Sequence, residues 1–463
     1  MQPPFDITAD LDTPVSTWLK LAPLAPRYLL ESVEGGANLA RYSFLGFGKA
    51  VEFRLDADGM FAGGERRPRP AGREQLLAAL RATLELAPKL APRIPDLPFA
   101  GGLVGVAGYD LVRYFERLPK APDHPNNPVA PDAAYLAAES LLVFDHLTRR
   151  IALLHAGPDT ERKELRGKVI ELLRGALPPP PAKGSHTAAA QSLSGAEFRQ
   201  AVAASKGAIA KGDVYQLVLS VQFTGRHTLS PFETYRALRL LNPSPYMFFV
   251  DLKDIQVAGS SPEALVKLRR GHASLRPIAG TRPRGATPEE DVAHEQSLLA
   301  DDKENAEHVM LVDLARNDLG RVASAGSIYV EPYRCIEHYS HVMHIVSGVQ
   351  GELAMAKDAF DLFAAAFPAG TLVGAPKVRA MELINELEPV RRGLYGGTVG
   401  YFGSNGDMDQ AIAIRTLIFR GDTYQYQAGA GIVADSVPET EYQEVLAKSA
   451  ILRNALAIAE EGL

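Results

Sequence analysis

The hydrophobic pattern after residue 191 predicts a helix that begins at a well-defined cap. Phe198, Val202 and Ile209 recur at helical spacing, so they would share one buried face. Ser194 precedes them, and Glu197 follows it by three positions, which is the arrangement of a capping box. We therefore expect an amphipathic helix to open the C-terminal part of the chain.

Further elements follow from apolar runs, turn residues and helix-initiating prolines. The predicted helices cover 230–241, about 288–319, 376–388 and a last stretch that begins at Pro438. The predicted strands include 214–223, 398–402, 410–419 and 423–433. Strands joined by short turns, with helices grouped in blocks, indicate an α+β fold of antiparallel β-sheets packed with helices. Neither a dinucleotide-binding glycine fingerprint nor a Walker loop is found.

A proline-rich segment divides the chain. Residues 177–191 contain four consecutive prolines, which cannot donate backbone hydrogen bonds and favour an extended chain. We predict an N-terminal part over 1–176, a Pro/Ala-rich linker over 177–191 and a C-terminal catalytic domain over 192–463. The alternative is a long surface loop inside one domain.

Composition excludes several classes of protein. The 463 residues are 46% hydrophobic and 22% charged, as in ordinary globular proteins, and the net charge of −6 does not favour a nucleic-acid partner. A single cysteine, Cys335, rules out an internal disulfide. The sequence has neither a signal-peptide pattern nor an apolar run long enough to span a bilayer. We expect a soluble, cytoplasmic protein with no membrane partner.

Two pairs of acidic residues are candidates for a metal site. Glu304 and Glu307 are three positions apart in a predicted helix, and Glu441 and Glu444 repeat that spacing in the last helix. Carboxylates from two helices could bind a hard cation such as magnesium through oxygen atoms. The alternative is two solvated helix faces, since Glu444 and Lys448 also form a favourable pair at i and i+4.

Arginine, glycine and histidine residues suggest a site for an anion. Arg415 lies in an otherwise apolar predicted strand, where its charge needs either a ligand carboxylate or a protein carboxylate. Glycines in 427–431 and 370–376 could let backbone N–H groups approach an anion, although tight turns also explain them. His341 and His344 would face opposite sides of a strand but the same side of a helix. The residues alone suggest a small anionic substrate without naming it.

Several segments, taken together, resemble the chorismate-binding enzymes, and most closely the members that form anthranilate. They are residues 277–285, 307–318, 339–344, 370–381, 395–401 and 427–436, with weaker matches at 29–36 and 41–46. The resemblance covers nearly the whole chain after the linker. By position it assigns catalysis to His344, Thr371, Glu304 and Lys448, chorismate binding to Gly280, Thr281, Tyr395, Arg415, Gly429, Ala430 and Gly431, and magnesium binding to Glu307, Glu444 and Glu441.

The resemblance implies a reaction and a partner. Ammonia would add at ring carbon 2 of chorismate while the carbon-4 hydroxyl leaves, and loss of pyruvate would give anthranilate. The cofactor would be Mg²⁺, and a separate glutamine amidotransferase subunit would supply ammonia within a heterotetramer. Cys335 lacks the small neighbours of a nucleophilic cysteine, so we expect no glutaminase activity in this chain.

Two positions distinguish branches of the family. Gln216 stands where water-using members carry a lysine base, which disfavours isochorismate and salicylate synthases. Ala279 stands where many aminodeoxychorismate synthases carry a nucleophilic lysine, which favours anthranilate. Aminodeoxychorismate synthase is the alternative within the family. A non-catalytic binding subunit is the alternative outside enzymes, and the intact acidic pairs, His344 and Arg415 argue against it.

The resemblance also implies feedback inhibition by L-tryptophan at a separate site. The matching residues lie in two distant segments, and they are Glu31, Ser32, Pro245, Tyr246 and Met247. Glu31 could pair with the ligand's ammonium group, and Tyr246 and Met247 could contact its indole. An ordinary strand and an ordinary helix stop are the alternative explanation of these segments.

Overall fold

A computed structural model describes residues 4–32, 41–119, 130–339 and 342–463. Ser340 and His341 lie outside the described residues, as do positions 33–36 of the first N-terminal motif. The helices of the described chain are α1 (Pro14–Lys20), α2 (Arg73–Glu85), α3 (Asp159–Arg174), α4 (Gly195–Ala210), α5 (Pro231–Leu241), α6 (Pro288–Leu299), α7 (Asp302–Gly320), α8 (Ala359–Ala366), α9 (Lys377–Leu387) and α10 (Pro438–Glu461). Short 3-10 turns occupy Ala22–Leu24, Tyr109–Tyr114 and Gly370–Leu372.

The strands form one large sheet and one small sheet, and every ladder is antiparallel. The large sheet contains β1 (Ile7–Thr8), β2 (Pro26–Glu31), β3 (Tyr42–Asp56), β4 (Gly59–Ala62), β5 (Glu65–Arg67), β6 (Gly102–Ala107), β7 (Ala133–Asp145), β8 (Arg150–His155), β9 (Ala190–Gln191), β10 (Gln216–Arg226), β11 (Tyr246–Asp251), β12 (Gln256–Ser261), β13 (Ala264–Arg269) and β14 (His272–Leu275). It continues with β16 (Tyr329–Val330), β19 (Val349–Glu352), β20 (Gly374–Ala375), β21 (Thr398–Gly403), β22 (Met408–Ile412), β23 (Thr416–Arg420) and β24 (Thr423–Ile432). The small sheet has the order β15 (Ile278–Pro283), β18 (Val342–Val346), β17 (Cys335–His338).

Strands from the two sides of residues 177–191 pair with each other. Strand β2 pairs with β11, and β6 pairs with β21 along its whole length. Aromatic packing follows the same pattern, because Trp18 of α1 stacks on Phe232 of α5 at 5.0 Å and meets Phe249 of β11 edge-on at 5.1 Å. The predicted division at 177–191 stays a prediction, and any division there is crossed by sheet and core contacts.

The predicted α+β class with antiparallel sheets is confirmed. The capping box of α4 is present, since the Glu197 N–H donates to Ser194 Oγ and the Ser194 N–H donates to a Glu197 carboxylate oxygen at 2.7 Å. Pro231 and Pro438 each occupy the first position of a helix, as expected.

One predicted helical stretch is present but divided, and one predicted strand is wrong in extent. The stretch 288–319 is two helices, because the Asp301 carboxylate accepts the N–H groups of Lys303 and Glu304 and so caps a new helix. The single strand predicted over 410–419 is β22 and β23. The chain changes partners between them, from β13 and β21 to β12 and β24, and Arg415 adopts a left-handed φ of 48° at the break.

Candidate active site

Acidic side chains of α7 and α10 approach each other. Burial raises the pKa of Glu307, and the nearby carboxylates of Glu304 and Glu444 raise it further, while Lys303 and Gln216 oppose the shift. Glu304 and Glu444 are therefore each close enough to Glu307 to repel its negative charge. Glu441 is buried on the first turn of α10. Within the described ranges no three His, Cys, Asp or Glu side chains have the spacing of a metal site.

His344 lies on β18 of the small sheet, which settles the choice between strand and helix for this residue. Its Nδ1 is 2.8 Å from the Gly280 carbonyl oxygen and 3.1 Å from Thr281 Oγ1. Because a carbonyl oxygen only accepts, Nδ1 carries the hydrogen and Nε2 is the acceptor of the neutral ring. Burial lowers the pKa of His344, and Arg415 adds to this effect, which favours the neutral form.

Gly280 allows β15 and α7 to pack closely in this part of the site. Its φ is +67°, and a Cβ atom there would come within 2.9 Å of Leu298 and 3.2 Å of the Glu304 carboxylate. The glycine therefore lets the strand that supports His344 lie directly against the acidic end of α7.

Arg415 reaches the site because it does not continue a strand. The left-handed turn brings its charge close enough to influence the pKa of both His344 and Glu263. Its Nη1 is 3.4 Å from Asn242 Oδ1, and its carbonyl oxygen accepts the Ser260 N–H. Arg415 thus lies close to His344 and Glu263, although the predicted continuous strand around it was wrong.

Residues 429–431 lie in β24, opposite β10. A Cβ atom on Gly429 would lie 2.5 Å from the Tyr395 hydroxyl oxygen and 2.6 Å from the Leu219 carbonyl oxygen. Lys448 of α10 donates to the Gly429 carbonyl at 3.3 Å and pairs with Glu444 at 2.6 Å. The structure therefore brings together Tyr395, Lys448, Glu444 and the glycine strand, with Ala430 and Gly431 following along β24.

Glu263 is a candidate that sequence reasoning missed. It lies between β12 and β13 and accepts a hydrogen bond from Thr371 Oγ1 at 2.9 Å. Burial raises its pKa to about 7, against the opposing effects of Thr371, Lys448 and Arg415. The sequence pattern that identified Arg415 could also have identified Glu263, because Glu263 is a lone charge in a run of small and apolar residues. The hydrogen bond to Glu263 connects Thr371 with the other predicted site residues.

The two segments of the predicted tryptophan site are adjacent strands. Met247 of β11 is paired with Glu31 of β2. The buried Glu31 carboxylate accepts from Tyr235 Oη at 2.5 Å and pairs with Arg239 at 3.1 Å, so its charge is balanced within the protein. Ser32 and Pro245 are half-buried, and the half-buried Tyr246 donates to Asp409 at 3.0 Å.

The chain belongs to the chorismate binding enzymes, whose family model matches residues 25–454. Anthranilate synthase component 1 of Thermus thermophilus is 46% identical over 461 residues, covering 98% of this chain and 97% of that protein. The component 1 of Acinetobacter calcoaceticus is 45% identical, with 98% and 95% covered. The crystal structure of anthranilate synthase component I from Streptococcus pneumoniae superimposes with a TM-score of 0.78 at 36% identity, over 89% of this chain and 92% of that one.

These relatives confirm the predicted resemblance and its anthranilate-forming branch. The menaquinone-specific isochorismate synthase MenF of Escherichia coli shares the fold, with a TM-score of 0.71 at 20% identity, over 96% of this chain and 92% of that one.

Within the described residues, none of the helices has the length and apolar character needed to span a membrane.

Glu263 gives a pH-dependent prediction. Its pKa in the folded protein, about 7, is above its ordinary value of 4.5, so the folded state holds more protons between these values. The free energy of unfolding should therefore fall as pH rises through this window. The Glu263→Gln variant lacks this titration. The difference between its free energy of unfolding and that of the unmodified protein should therefore increase in favour of the variant by about 1–3 kcal/mol between about pH 5 and pH 8. Urea unfolding without ligands measures the difference, and a constant difference would contradict the assignment.

Proposed function

We propose that this chain is the synthase component of anthranilate synthase, which converts chorismate and ammonia to anthranilate, pyruvate and water. The near full-length similarity to anthranilate synthase component 1 carries this proposal. The site geometry is consistent with it, because His344, Arg415, Lys448 and several carboxylates lie close enough to influence one another's ionisation. This reaction would supply anthranilate for tryptophan biosynthesis.

Magnesium fits the chemistry of the acidic cluster. Burial raises the pKa of Glu307, and the neighbouring carboxylates raise it further. A divalent cation would offset both effects, and carboxylate oxygens are the ligands Mg²⁺ prefers. Glu307 and Glu444 would hold the ion with Glu441, and these side chains would have to draw closer to do so. Bound there, the ion would supply Lewis-acid polarisation of the substrate's ring carboxylate.

The chain's own residues then have separate tasks. Arg415 would bind the enolpyruvyl carboxylate, and the strand at 429–431 and Tyr395 would form the adjoining wall. Gly280 and Thr281 would contact the other side of the ring. The Glu263 carboxyl group, which accepts a hydrogen bond from Thr371, would give a proton to the departing carbon-4 hydroxyl, and Glu304 would take part in the same step.

His344 Nε2 is the acceptor that would take the proton from carbon 2 when pyruvate leaves. Its orientation is fixed by the hydrogen bond from Nδ1 to Gly280. Lys448, held between Glu444 and Gly429, would place its positive charge beside the substrate carboxylate and the ion.

The proposal predicts both the product and the nitrogen source. The purified chain with chorismate, magnesium and an ammonium salt should form fluorescent anthranilate and an equal amount of pyruvate. Glutamine should replace ammonia only after a glutamine amidotransferase subunit is added. A non-aromatic amino product would favour aminodeoxychorismate synthase instead. Glutamine-dependent synthesis by the chain alone would refute the partner, and absence of any product would refute the enzyme.

The acidic cluster predicts a magnesium-dependent loss of activity. Glu307→Gln or Glu444→Gln removes one charged oxygen ligand with little change in volume, so kcat should fall on the order of 100-fold or more while the fold is kept. Circular dichroism and activity against magnesium concentration measure both. Asp313→Asn on α7 and Glu439→Gln on α10 are exposed controls that should keep activity. Normal rates in the Glu307 and Glu444 variants at moderate magnesium would overturn the assignment.

We also propose that L-tryptophan inhibits by binding at a separate site beside the paired ends of β2 and β11, near Glu31 and Met247. Because Arg239 and Tyr235 already contact Glu31, the ligand's ammonium group would share this carboxylate with them. Met247, Tyr246 and Pro245 offer an apolar wall for the indole.

Tryptophan should inhibit the unmodified enzyme, and Ser32→Phe should abolish the inhibition by filling the pocket. Titration of the initial rate with tryptophan measures both. Chorismate should weaken tryptophan binding by the same factor by which tryptophan weakens chorismate binding. Ser404→Phe, in the exposed turn after β21, should stay inhibited. Equal inhibition of the Ser32 variant and the unmodified enzyme would show that this assignment is wrong.

A further inference from the structure

Arg392 and Glu388 form a completely buried ion pair behind the candidate active site. Their side chains are only 1% and 3% exposed. Two hydrogen bonds of 2.8 and 2.7 Å join the guanidinium to the two carboxylate oxygens. A buried pair is tolerated only when its polar atoms are satisfied, and here the guanidinium also donates to the carbonyl oxygens of Leu372 and Val218 at 2.7 and 2.8 Å.

The carboxylate end of this pair contacts β10, the strand beside residues 429–431 of β24. Glu388 Oε1 accepts the N–H of Ser220 at 2.9 Å and its hydroxyl at 2.7 Å. Gln427 of β24 donates to the same hydroxyl oxygen at 2.8 Å. Ser220 is the residue of β10 paired with Gly429, so the pair contacts the position opposite a predicted substrate contact.

The guanidinium end holds a predicted substrate side chain. Arg392 Cζ is 4.8 Å from the centroid of the Tyr109 ring and 5.6 Å from that of the Tyr395 ring, both within cation–π range. Its bond to the Leu372 carbonyl fixes the turn that contains Thr371. Tyr109 comes from the part of the chain before the proline-rich segment.

We propose that Arg392 and Glu388 are a positioning pair for the chorismate pocket. Together they set the Tyr395 ring, the Thr371 turn and the strand position of Gly429, and removing either partner would leave the other charge buried and unpaired. The pair touches no reacting atom and acts through these three neighbours. This inference rests on the proposed function, since it assumes that Tyr395 and Gly429 line the chorismate site.

The test separates positioning from simple stabilisation. A structural pair would change only the fraction of active enzyme, and so lower the apparent kcat without changing KM. A positioning pair should change the KM for chorismate, because KM does not depend on the fraction of enzyme that is active. KM and kcat would be measured with ammonia at saturating magnesium, with circular dichroism to follow the folded fraction.

Three variants give graded outcomes. Arg392→Lys keeps the charge but not the planar fork, so KM should rise about tenfold. Tyr109→Leu removes one stacked ring and leaves the ion pair, so KM should rise about threefold. The double variant Glu388→Gln with Arg392→Met buries no charge and should stay folded, with a larger rise in KM than Arg392→Lys gives.

The matched control is another largely buried ion pair, Lys20 with Asp12, at 2.8 Å and 12% and 10% exposed in the N-terminal part. Its neutral double variant, Asp12→Asn with Lys20→Met, should keep the KM of the unmodified enzyme. Unchanged KM in all the Arg392 and Tyr109 variants would overturn the positioning role. If the unmodified chain makes no anthranilate, the proposed function fails, and equilibrium binding of chorismate to the same variants still tests the positioning role.

Discussion

Backbone hydrogen bonding between strands that are distant in sequence is the constraint on which this structure depends. Strands β2 and β6 pair with β11 and β21 on the far side of the proline-rich segment. A strand edge left unpaired in the interior would leave its N–H and C=O groups without partners. The pairing therefore fixes where the predicted tryptophan segments meet, and it places Tyr109 against the ion pair behind Tyr395. The predicted tryptophan site therefore takes residues from both parts of the chain, and the ion pair behind the candidate active site also contacts both parts.

Charge is distributed unevenly around the candidate active site, and this asymmetry suits its proposed substrate. Chorismate carries two carboxylates, while Glu304 and Glu444 lie close enough to Glu307 to disfavour its ionisation, although Lys448 pairs with Glu444. Arg415 and Lys448 can each bind an anion, but the acidic side can accept a carboxylate only through a cation. Burial and the neighbouring carboxylates, which together disfavour ionisation of Glu307, would therefore make substrate binding dependent on magnesium in the proposed mechanism.

Local sequence signals predicted the elements whose boundaries are set by neighbouring residues. The capping box of α4 and the prolines that begin α5 and α10 are examples, because caps and first turns involve contacts within a few positions. Apolar periodicity could not locate the break at Arg415, since that break arises from a change of partner strands. The role of Glu263 was hidden for a similar reason, because Thr371 and Lys448 reach it from distant segments.

The position of Trp18 gives the molecule an internal optical reporter. It is the only tryptophan of the chain, and it packs between α1 and two aromatic rings from beyond the proline-rich segment. Indole emission shifts to longer wavelength when water reaches the ring, so the tryptophan fluorescence of the protein reports on the surroundings of this one side chain. Separation of α1 from α5 and β11 would shift the emission maximum even if the secondary structure stayed intact.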